Sequence, residues 1–240
     1  MASRRPYRSD LSDARWALIE PTLTAWRAAR RGPGTVARIA EWEADGTTQR
    51  LHDLLREQVR ESRGRAVVPT AAIIDAQSVK TSGNVGELSQ GIDAGKKIKG
   101  RKRHIATDTL GLLLAVLVTA ASVQDSAGGQ KLLDAIATEH PTVAATWVDG
   151  GCNNTVIRHG VKRGIAVQVV KRGAGSGFQV LPRRWVVERT LGRLMQHRRL
   201  VRDYETLPQR SRSMIYWAMA NIMSRTLTGE STQTWRITYA

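Results

Sequence analysis

The chain has 240 residues, of which 41% are hydrophobic and 24% charged, so it is long enough to bury a core without disulfide or metal support. Its 37 lysines and arginines outnumber its 21 acids, and the net charge of +16 favours a polyanionic partner, nucleic acid before an anionic membrane surface. The longest apolar run, LGLLLAVLVTAA, is shorter than the roughly 20 residues of a membrane-spanning helix, and the one cysteine, Cys152, excludes an internal disulfide framework.

The N-terminal part of the chain predicts short helices. Ser12 is a candidate N-cap, and Leu11 and Trp16 have the spacing of a hydrophobic staple. Pro21 is expected to end this first segment. Residues 47–62 carry leucines and a valine at helical spacing, which predicts a second amphipathic helix.

From Val67 onwards, predicted strands alternate with predicted helices. AAIIDAQSVK is typical of a buried strand with a polar end, and RHIATDT and LLLAVLVTAA flank a hairpin turn at Leu110–Gly111. The later elements are, in order, a helix in SAGGQKLLDAIATEH, a strand in ATWVDGG, a helix in NNTVIRHGVKRG, a strand in IAVQVVKR, and helices in RWVVERTLGRLM and SRSMIYWAMANIMSRTL. The alternation predicts a layered α/β domain, and the hairpin predicts a mixed sheet.

Two aspartates occupy matching positions in this pattern. Asp75 follows AAII and Asp149 follows TWV, so each ends an apolar run, and α/β folds bind ligands at such strand ends. Either residue alone is also compatible with a plain turn or helix-capping role.

Glu188 is a third acid, in a stretch with seven arginines between Leu181 and Arg202. It borders an apolar helical face, and it is also compatible with a simple i,i+4 pair with Arg184. Three acids on three elements of a basic chain predict a site for Mg²⁺ or Mn²⁺. Paired metal ions of this kind support phosphodiester chemistry.

A second basic cluster, KKIKGRKRH at residues 96–104, predicts a phosphate-binding loop beside the hairpin, with a solvated loop as the alternative. With the cations near Glu188 it gives the candidate DNA-binding residues: Lys80, Lys96, Lys97, Lys99, Arg101, Lys102, Arg103, Arg184, Arg189, Arg198 and Arg199.

The chain resembles the DDE transposases of bacterial insertion sequences. The resemblance is carried by IIDAQSVKTS, GIDAGKKIKGRKRHIATDTLGLLLAVLVTAAS, WVDGGCNN, RWVVERTLGRLMQHRRLVRDYE and YWAMANIMSRTL. These stretches cover residues 71–227 almost continuously and in the family order. The family's three catalytic acids fall on Asp75, Asp149 and Glu188.

The resemblance implies a ribonuclease H-like mixed sheet with helices on both faces. It implies Mg²⁺-dependent cleavage at transposon ends and strand transfer into target DNA, by a homo-oligomer on paired ends in the bacterial cytoplasm, associated with the nucleoid and not with a membrane. Arg184 matches an arginine of the family. Leu181 and Met195 stand where a tyrosine and a lysine are expected, and Arg198 or Arg199 is the candidate replacement for the lysine.

The resemblance also predicts two domains. Residues 1–65 match a helical DNA-binding segment, shortened by an internal deletion, and residues 66–230 match the catalytic domain. Two alternatives stay open beside an active transposase. One is a truncated DNA-binding relative that does not transpose, and the other is a metal-dependent nuclease of the same fold.

Overall fold

The computed structural model describes residues 11–29, 39–150, 154–170 and 184–230. The chain forms two compact units, one made of residues 1–65 with 220–240 and the other of residues 66–219. Among the described residues, no helix has the length and apolarity needed to cross a membrane.

The described N-terminal residues form the helices α1 (Asp13–Ala28), α2 (Ile39–Ala44) and α3 (Thr47–Ser62). Ser12 caps α1 as predicted, because its side chain accepts a hydrogen bond from the Arg15 N–H. The prediction that Pro21 ends this helix is wrong. The helix continues to Ala28 because burial of Trp26, which packs edge-on against Trp42, offsets the lost backbone bond.

The predicted staple is also wrong, since Leu11 and Trp16 are both exposed. Arg15, one residue before Trp16, is buried instead and donates to the hydroxyl of Ser224 at 3.1 Å. The first turn of α1 is thus fixed by polar contacts within its own unit rather than by a hydrophobic contact.

The second unit is built on a six-stranded sheet in the order β2-β3-β1-β5-β6, with β4 also paired to β3. Its strands are β1 (Ala71–Lys80), β2 (Gly91–Asp93), β3 (Ile98–Thr107), β4 (Leu113–Ala120), β5 (Ala145–Asp149) and β6 (Ala166–Val170). The helices around it are α4 (Asp125–Glu139), α5 (Asn154–Lys162), α6 (Arg184–Met195) and the start of α7 (Pro208–Thr228), with 3₁₀ turns η1 (Glu87–Ser89) and η2 (Arg198–Leu200).

The sheet is mixed, as the hairpin in the sequence predicts. β3 pairs antiparallel with β1, β2 and β4, whereas β1, β5 and β6 are mutually parallel. This curled mixed sheet with helices around it has the architecture of a ribonuclease H-like fold and confirms the predicted fold class.

The core lies between the sheet and the helices α4 and α5. Its members are small and branched apolar residues that fit the pleated surface: Ala72, Ile74, Ala106, Leu114, Ala115, Leu132, Leu133, Ile136, Val143, Val148, Val156 and Ile165. Their burial fixes the strand register, so a one-residue slip would turn these side chains away from the core.

The β3–β4 turn fixes α6 against the sheet. Asp108 closes the turn by accepting backbone hydrogen bonds from Leu110 and Leu112. Gly111 has a φ of +85°, and a Cβ there would lie 2.6 Å from Thr190 Oγ1. The close approach lets the Thr190 hydroxyl donate to the Gly111 carbonyl at 2.7 Å, which joins α6 to the turn.

Candidate active site

Asp75 and Asp149 lie side by side because their strands are parallel neighbours. β1 and β5 pair with Ile73 opposite Trp147. Two residues further along each strand come Asp75 and Asp149, and a shift of two returns to the same face of a sheet. Strand register thus brings together two residues that are 74 positions apart in the sequence.

Glu188 reaches the same place from α6. The helix begins at Arg184, and Thr190 anchors it to the β3–β4 turn. Arg189 adds a second bond to that turn, from its guanidinium to the Leu110 carbonyl at 3.2 Å. These two contacts set the rotation of α6 and direct the face with Arg184 and Glu188 toward Asp75, which lies in the middle of β1 rather than at the predicted strand end, and toward Asp149 at the end of β5.

The three acids meet around the guanidinium of Arg184. Its Nη1 lies 2.7 Å from Asp149 Oδ1, and its Nη2 lies 3.1 Å from Glu188 Oε1 and 3.8 Å from Asp75 Oδ2. The Arg184 side chain is 7% exposed and that of Asp75 16%, whereas those of Asp149 and Glu188 are 46% and 48% exposed. The site is therefore closed on the strand side and open to solvent on the other.

Burial raises the pKa of Asp75 to about 6. The Ala76 N–H, which bonds to the carboxylate at 2.7 Å, and the Arg184 guanidinium lower that pKa, while the charges of Asp149 and Glu188 raise it. A carboxyl group in this state gains from any further cation, because a cation favours its ionised form.

The donor chemistry of this cluster fits a divalent metal ion. Carboxylate oxygens are hard ligands suited to Mg²⁺ or Mn²⁺, and three acids here face a single guanidinium. Within the described part of the chain, however, no three His, Cys, Asp or Glu residues stand in a metal-ligating arrangement. Asp75, Asp149 and Glu188 converge on Arg184, and their sharing of metal ions stays a prediction.

Part of the basic cluster is interior rather than surface. The residues predicted as a loop form most of β3, and the side chains of Arg101, Lys102 and Arg103 are buried. Lys102 pairs with Asp93 and Asp125 at 3.3 and 2.9 Å. The prediction that these three side chains contact DNA phosphates is wrong, because they are already inside the fold.

Arg101 and Arg103 hold the segment that follows α6. Arg101 pairs with the buried Asp203 at 3.3 Å, and Arg103 donates to the Leu200 carbonyl at 2.7 Å. Arg103 Nη1 also lies 4.0 Å from Met195 Sδ, so this arginine reaches the position where the family has a lysine. Leu181, the expected tyrosine position, lies outside the described residues.

The other predicted DNA contacts are on the surface. Lys80, Lys96, Lys97, Lys99, Arg198 and Arg199 are exposed. Two of these have acidic partners, since Lys99 pairs with Glu87 and Arg199 with Glu205, both at 2.9 Å. Arg189 is half-buried and stacks on the ring of Trp185 at 4.4 Å.

Sequence reasoning missed Thr190, which anchors α6 to the β3–β4 turn, and Asp203, which binds Arg101 in the segment after α6. Asp203 accepts hydrogen bonds from the Ser211 hydroxyl at 2.6 Å and the Glu205 N–H at 3.0 Å, in addition to its Arg101 pair. Its position directly after the basic stretch HRRLVR was the available signal, because an acid beside several arginines is expected to pair with a cation. Nothing in the local sequence marks Thr190.

A mixed sheet with aspartates on adjacent strands and a glutamate on a covering helix defines a ribonuclease H-like protein with a cluster of three acids as its candidate active site. Residues 68–223 match the family described as transposase DDE domain, and the chain belongs to this family.

A putative transposase for insertion sequence element IS402 from Burkholderia cepacia is 36% identical over 109 residues. The matched stretch is 42% of this chain and 52% of that protein, so the chain spans about half the length of this relative.

Proposed function

We propose that this protein is the transposase of an insertion sequence, which binds DNA, cleaves it at the ends of the element and joins those ends to target DNA. The observation that carries the proposal is the convergence of Asp75, Asp149 and Glu188 from β1, β5 and α6. Membership of the transposase DDE domain family supports it.

In this proposal the three acids hold Mg²⁺ or Mn²⁺. Such ions, when bound, activate an attacking oxygen and stabilise the leaving oxygen of a phosphodiester. The chain's own contribution is to hold the acids. Strand register aligns Asp75 with Asp149, and the contacts of Thr190 and Arg189 with the β3–β4 turn orient Glu188.

DNA phosphates would bind the exposed cations around the acids. Lys96 is close to them, because its ammonium donates to the Ala76 carbonyl at 3.3 Å, one residue after Asp75. Lys80 lies beside the segment after η2, since its carbonyl accepts from the Asp203 N–H at 2.9 Å. The Lys96 contact brings a cation close to Asp75, and Lys80 adds an exposed cation at the end of the same strand. Exposed cations of this kind bind the phosphate backbone.

The first test is Glu188→Gln, which keeps the shape of the side chain and removes its charge. We expect cleavage and joining in Mg²⁺ to fall by at least about 100-fold, because a ligand oxygen becomes a neutral amide oxygen. Gel assays on DNA carrying the inverted repeats that flank the gene measure both steps. Glu87→Gln, the same change at an exposed acid of η1, is the matched control and should retain activity.

Full activity of Glu188→Gln would disprove the assignment of the glutamate. Metal-free DNA binding by this variant should equal or slightly exceed that of the unaltered protein, since a charge that repels phosphate is lost.

A second test concerns the surface cations. Replacing Lys80 and Lys97 with glutamine should weaken binding to all DNA sequences alike. The slope of log binding constant against log salt concentration should flatten by about 1 to 2, since each phosphate contact releases counterions. Replacing Lys131 and Lys162, exposed lysines of α4 and α5, removes the same charge and should leave the slope nearly unchanged. Equal slopes in the two double variants would contradict the proposed surface.

A DNA-binding relative that does not transpose is a second candidate, favoured by the shortening of the N-terminal helical segment inferred from the sequence. Supplying pre-cut transposon ends separates the possibilities. A transposase joins such ends to target DNA, a nuclease of the same fold cuts uncut DNA without joining, and the non-catalytic relative binds and does neither.

A further inference from the structure

Arg184 occupies the centre of the acidic site. One guanidinium lies within 3.8 Å of all three carboxylates and within 3.1 Å of two of them. Its side chain is more deeply buried than any of the acids it touches. A metal ion bound by the same three acids would need the space between them, which this guanidinium now occupies.

The charges of the cluster are unbalanced. Three carboxylates bring up to three negative charges, and a guanidinium brings one positive charge that it does not lose at any ordinary pH. Among the described residues, Arg184 is the cation that forms an ion pair with Asp75. Without it, the acids would repel one another at close range. With it, a net negative charge remains that still attracts a divalent cation.

The hold of Arg184 on the site is also incomplete. Its Nε is buried and has no hydrogen-bond partner among the residues that the structure describes. The Asp75 contact at 3.8 Å is an ion pair too long for a hydrogen bond. Its closest partners are Asp149, to which it donates a hydrogen bond, and Glu188, with which it forms an ion pair. Both acids are about half exposed, so solvent screens these contacts. The contacts of Arg184 hold the three acids together, and an anion that binds the guanidinium more strongly can replace them.

We propose that Arg184 is a switch between two anionic partners. It holds the three acids in the metal-free protein, and it leaves them for a DNA phosphate when divalent metal ions enter. The inference rests on the proposed function and describes how that same site is regulated. A planar guanidinium suits both positions, because it binds carboxylate and phosphate with the same pair of donors.

The switch couples metal binding to DNA binding. A metal ion alone must displace Arg184, which then has no anion to bind. In the presence of DNA the displaced guanidinium gains a phosphate, so DNA should tighten metal binding. By linkage, metal should tighten DNA binding by the same factor. The protein alone would thus hold metal weakly, and its site would be completed on DNA.

The experiment is calorimetric titration of Mn²⁺ into the full chain, with and without a short nonspecific DNA duplex. The unaltered protein should bind Mn²⁺ at least about tenfold more tightly with DNA present. Arg184→Gln should bind Mn²⁺ more tightly than the unaltered protein when DNA is absent and should gain little from DNA. Loss of the coupling is the decisive result, since removal of a nearby charge alone would raise metal affinity equally with and without DNA.

Arg184→Lys separates the shape of the side chain from its charge. An ammonium is a compact charge that cannot present the planar fork of donors to several carboxylates. This variant should therefore also bind Mn²⁺ more tightly than the unaltered protein in the absence of DNA. Mn²⁺ affinity and DNA coupling identical to those of the unaltered protein would overturn the switch.

Thermal unfolding with a chelator shows whether the variants fold. Arg184→Gln should melt at a lower temperature than the unaltered protein. Mn²⁺ should raise the melting temperature of this variant by more than it raises that of the unaltered protein. A chelated variant as stable as the unaltered protein would mean that Arg184 does not hold the acids, which overturns the proposal. Equal Mn²⁺ affinity with and without DNA in the unaltered protein would overturn the switch and leave the metal site intact. Absence of Mn²⁺ binding under every condition would overturn both.

Discussion

Arg101 and Arg184 each lie in a network with carboxylates in the unit that carries the sheet, and the two networks differ in closure. Arg101 bonds to the Ser89 carbonyl and hydroxyl, to Asp203, and to the carbonyls of Glu205 and Thr206, at 2.6 to 3.3 Å. The Arg101 and Asp203 side chains are 0% and 1% exposed. Each of the three guanidinium nitrogens therefore has a partner inside the fold.

The Arg184 cluster uses the same groups and stays open. Its guanidinium faces three acids, and two of them, Asp149 and Glu188, reach solvent. Within the described ranges its Nε has no hydrogen-bond partner. A closed, balanced network holds chain segments together, whereas an open network with excess negative charge leaves its acids able to bind something else. The difference between structure and site lies in exposure and charge balance rather than in residue type.

The largest effect should follow from breaking the closed cluster. Asp203→Ala leaves the Arg101 charge buried without a carboxylate and removes acceptors from Ser211 and from the Glu205 N–H. We expect the free energy of unfolding to fall by about 3–5 kcal/mol, measured by urea denaturation. Replacing Arg101 with Met and Asp203 with Leu together should cost less than Asp203→Ala. A loss below about 1 kcal/mol for the single variant would show that this cluster is no more closed than the other.

The next largest effect concerns the pH dependence of stability, to which the buried His104 and the acidic site contribute in opposite directions. His104 on β3 is 1% exposed, and burial lowers its pKa to about 4, so the protonated form is disfavoured in the folded state. Its contribution to stability is present above its unfolded pKa of about 6.5 and is lost as the pH falls toward 4. Asp75 acts in the opposite direction, because its pKa is raised to about 6. Its contribution is present at low pH and is lost as the pH rises through 6.

The two contributions oppose each other over nearly the same range, so substitution of either should expose the other. In a chelating buffer, Asp75→Asn should lose stability on acidification more steeply than the unaltered protein, by about 2 kcal/mol between pH 6.5 and 4. His104→Gln should show a shallower or reversed slope. Urea denaturation across this range measures both, and parallel curves for the three proteins would contradict the assignment.

The smallest effect should come from the open cluster. Glu188→Gln removes one of three acids around Arg184, and the side chain is 48% exposed, so we expect a change in unfolding free energy of less than about 1 kcal/mol. The same urea measurement on Glu87→Gln gives the scale for an exposed acid. A loss as large as that of Asp203→Ala would mean that Glu188 is structural and would remove the contrast between the clusters.

The fold class was predictable from local signals, and the same kind of signal singled out Asp75 and Asp149, whose catalytic role stays a prediction. An apolar run that ends in an acid marks Asp75 and Asp149, and alternation of strands and helices marks the layered fold. The hairpin was predictable for the same reason, since its Leu110–Gly111 turn lies between two apolar strands.

The partners of the charged residues were not predictable. The Arg101 partner Asp203 is 102 residues away in the sequence, and a run of basic residues looks the same whether it lies in a loop or in a buried strand. Arg184 shows the limit well. Its i,i+4 contact with Glu188 is local and was foreseen, but its contact with Asp149 crosses 35 residues. The prediction that Pro21 ends α1 was wrong for a related reason, because burial of Trp26 outweighs the local helix-breaking preference of proline.

Because Thr190 bonds to the Gly111 carbonyl, the length of the β3–β4 turn determines where α6 holds Glu188. An extra residue between Asp108 and Leu112 would shift the anchor of α6, and with it Glu188, while leaving every acid of the site in the sequence. The turn at residues 108–112 should therefore tolerate neither insertion nor deletion, although turns on a protein surface usually accept both. Among natural variants of this chain, loop length should vary freely elsewhere on the surface and stay constant here.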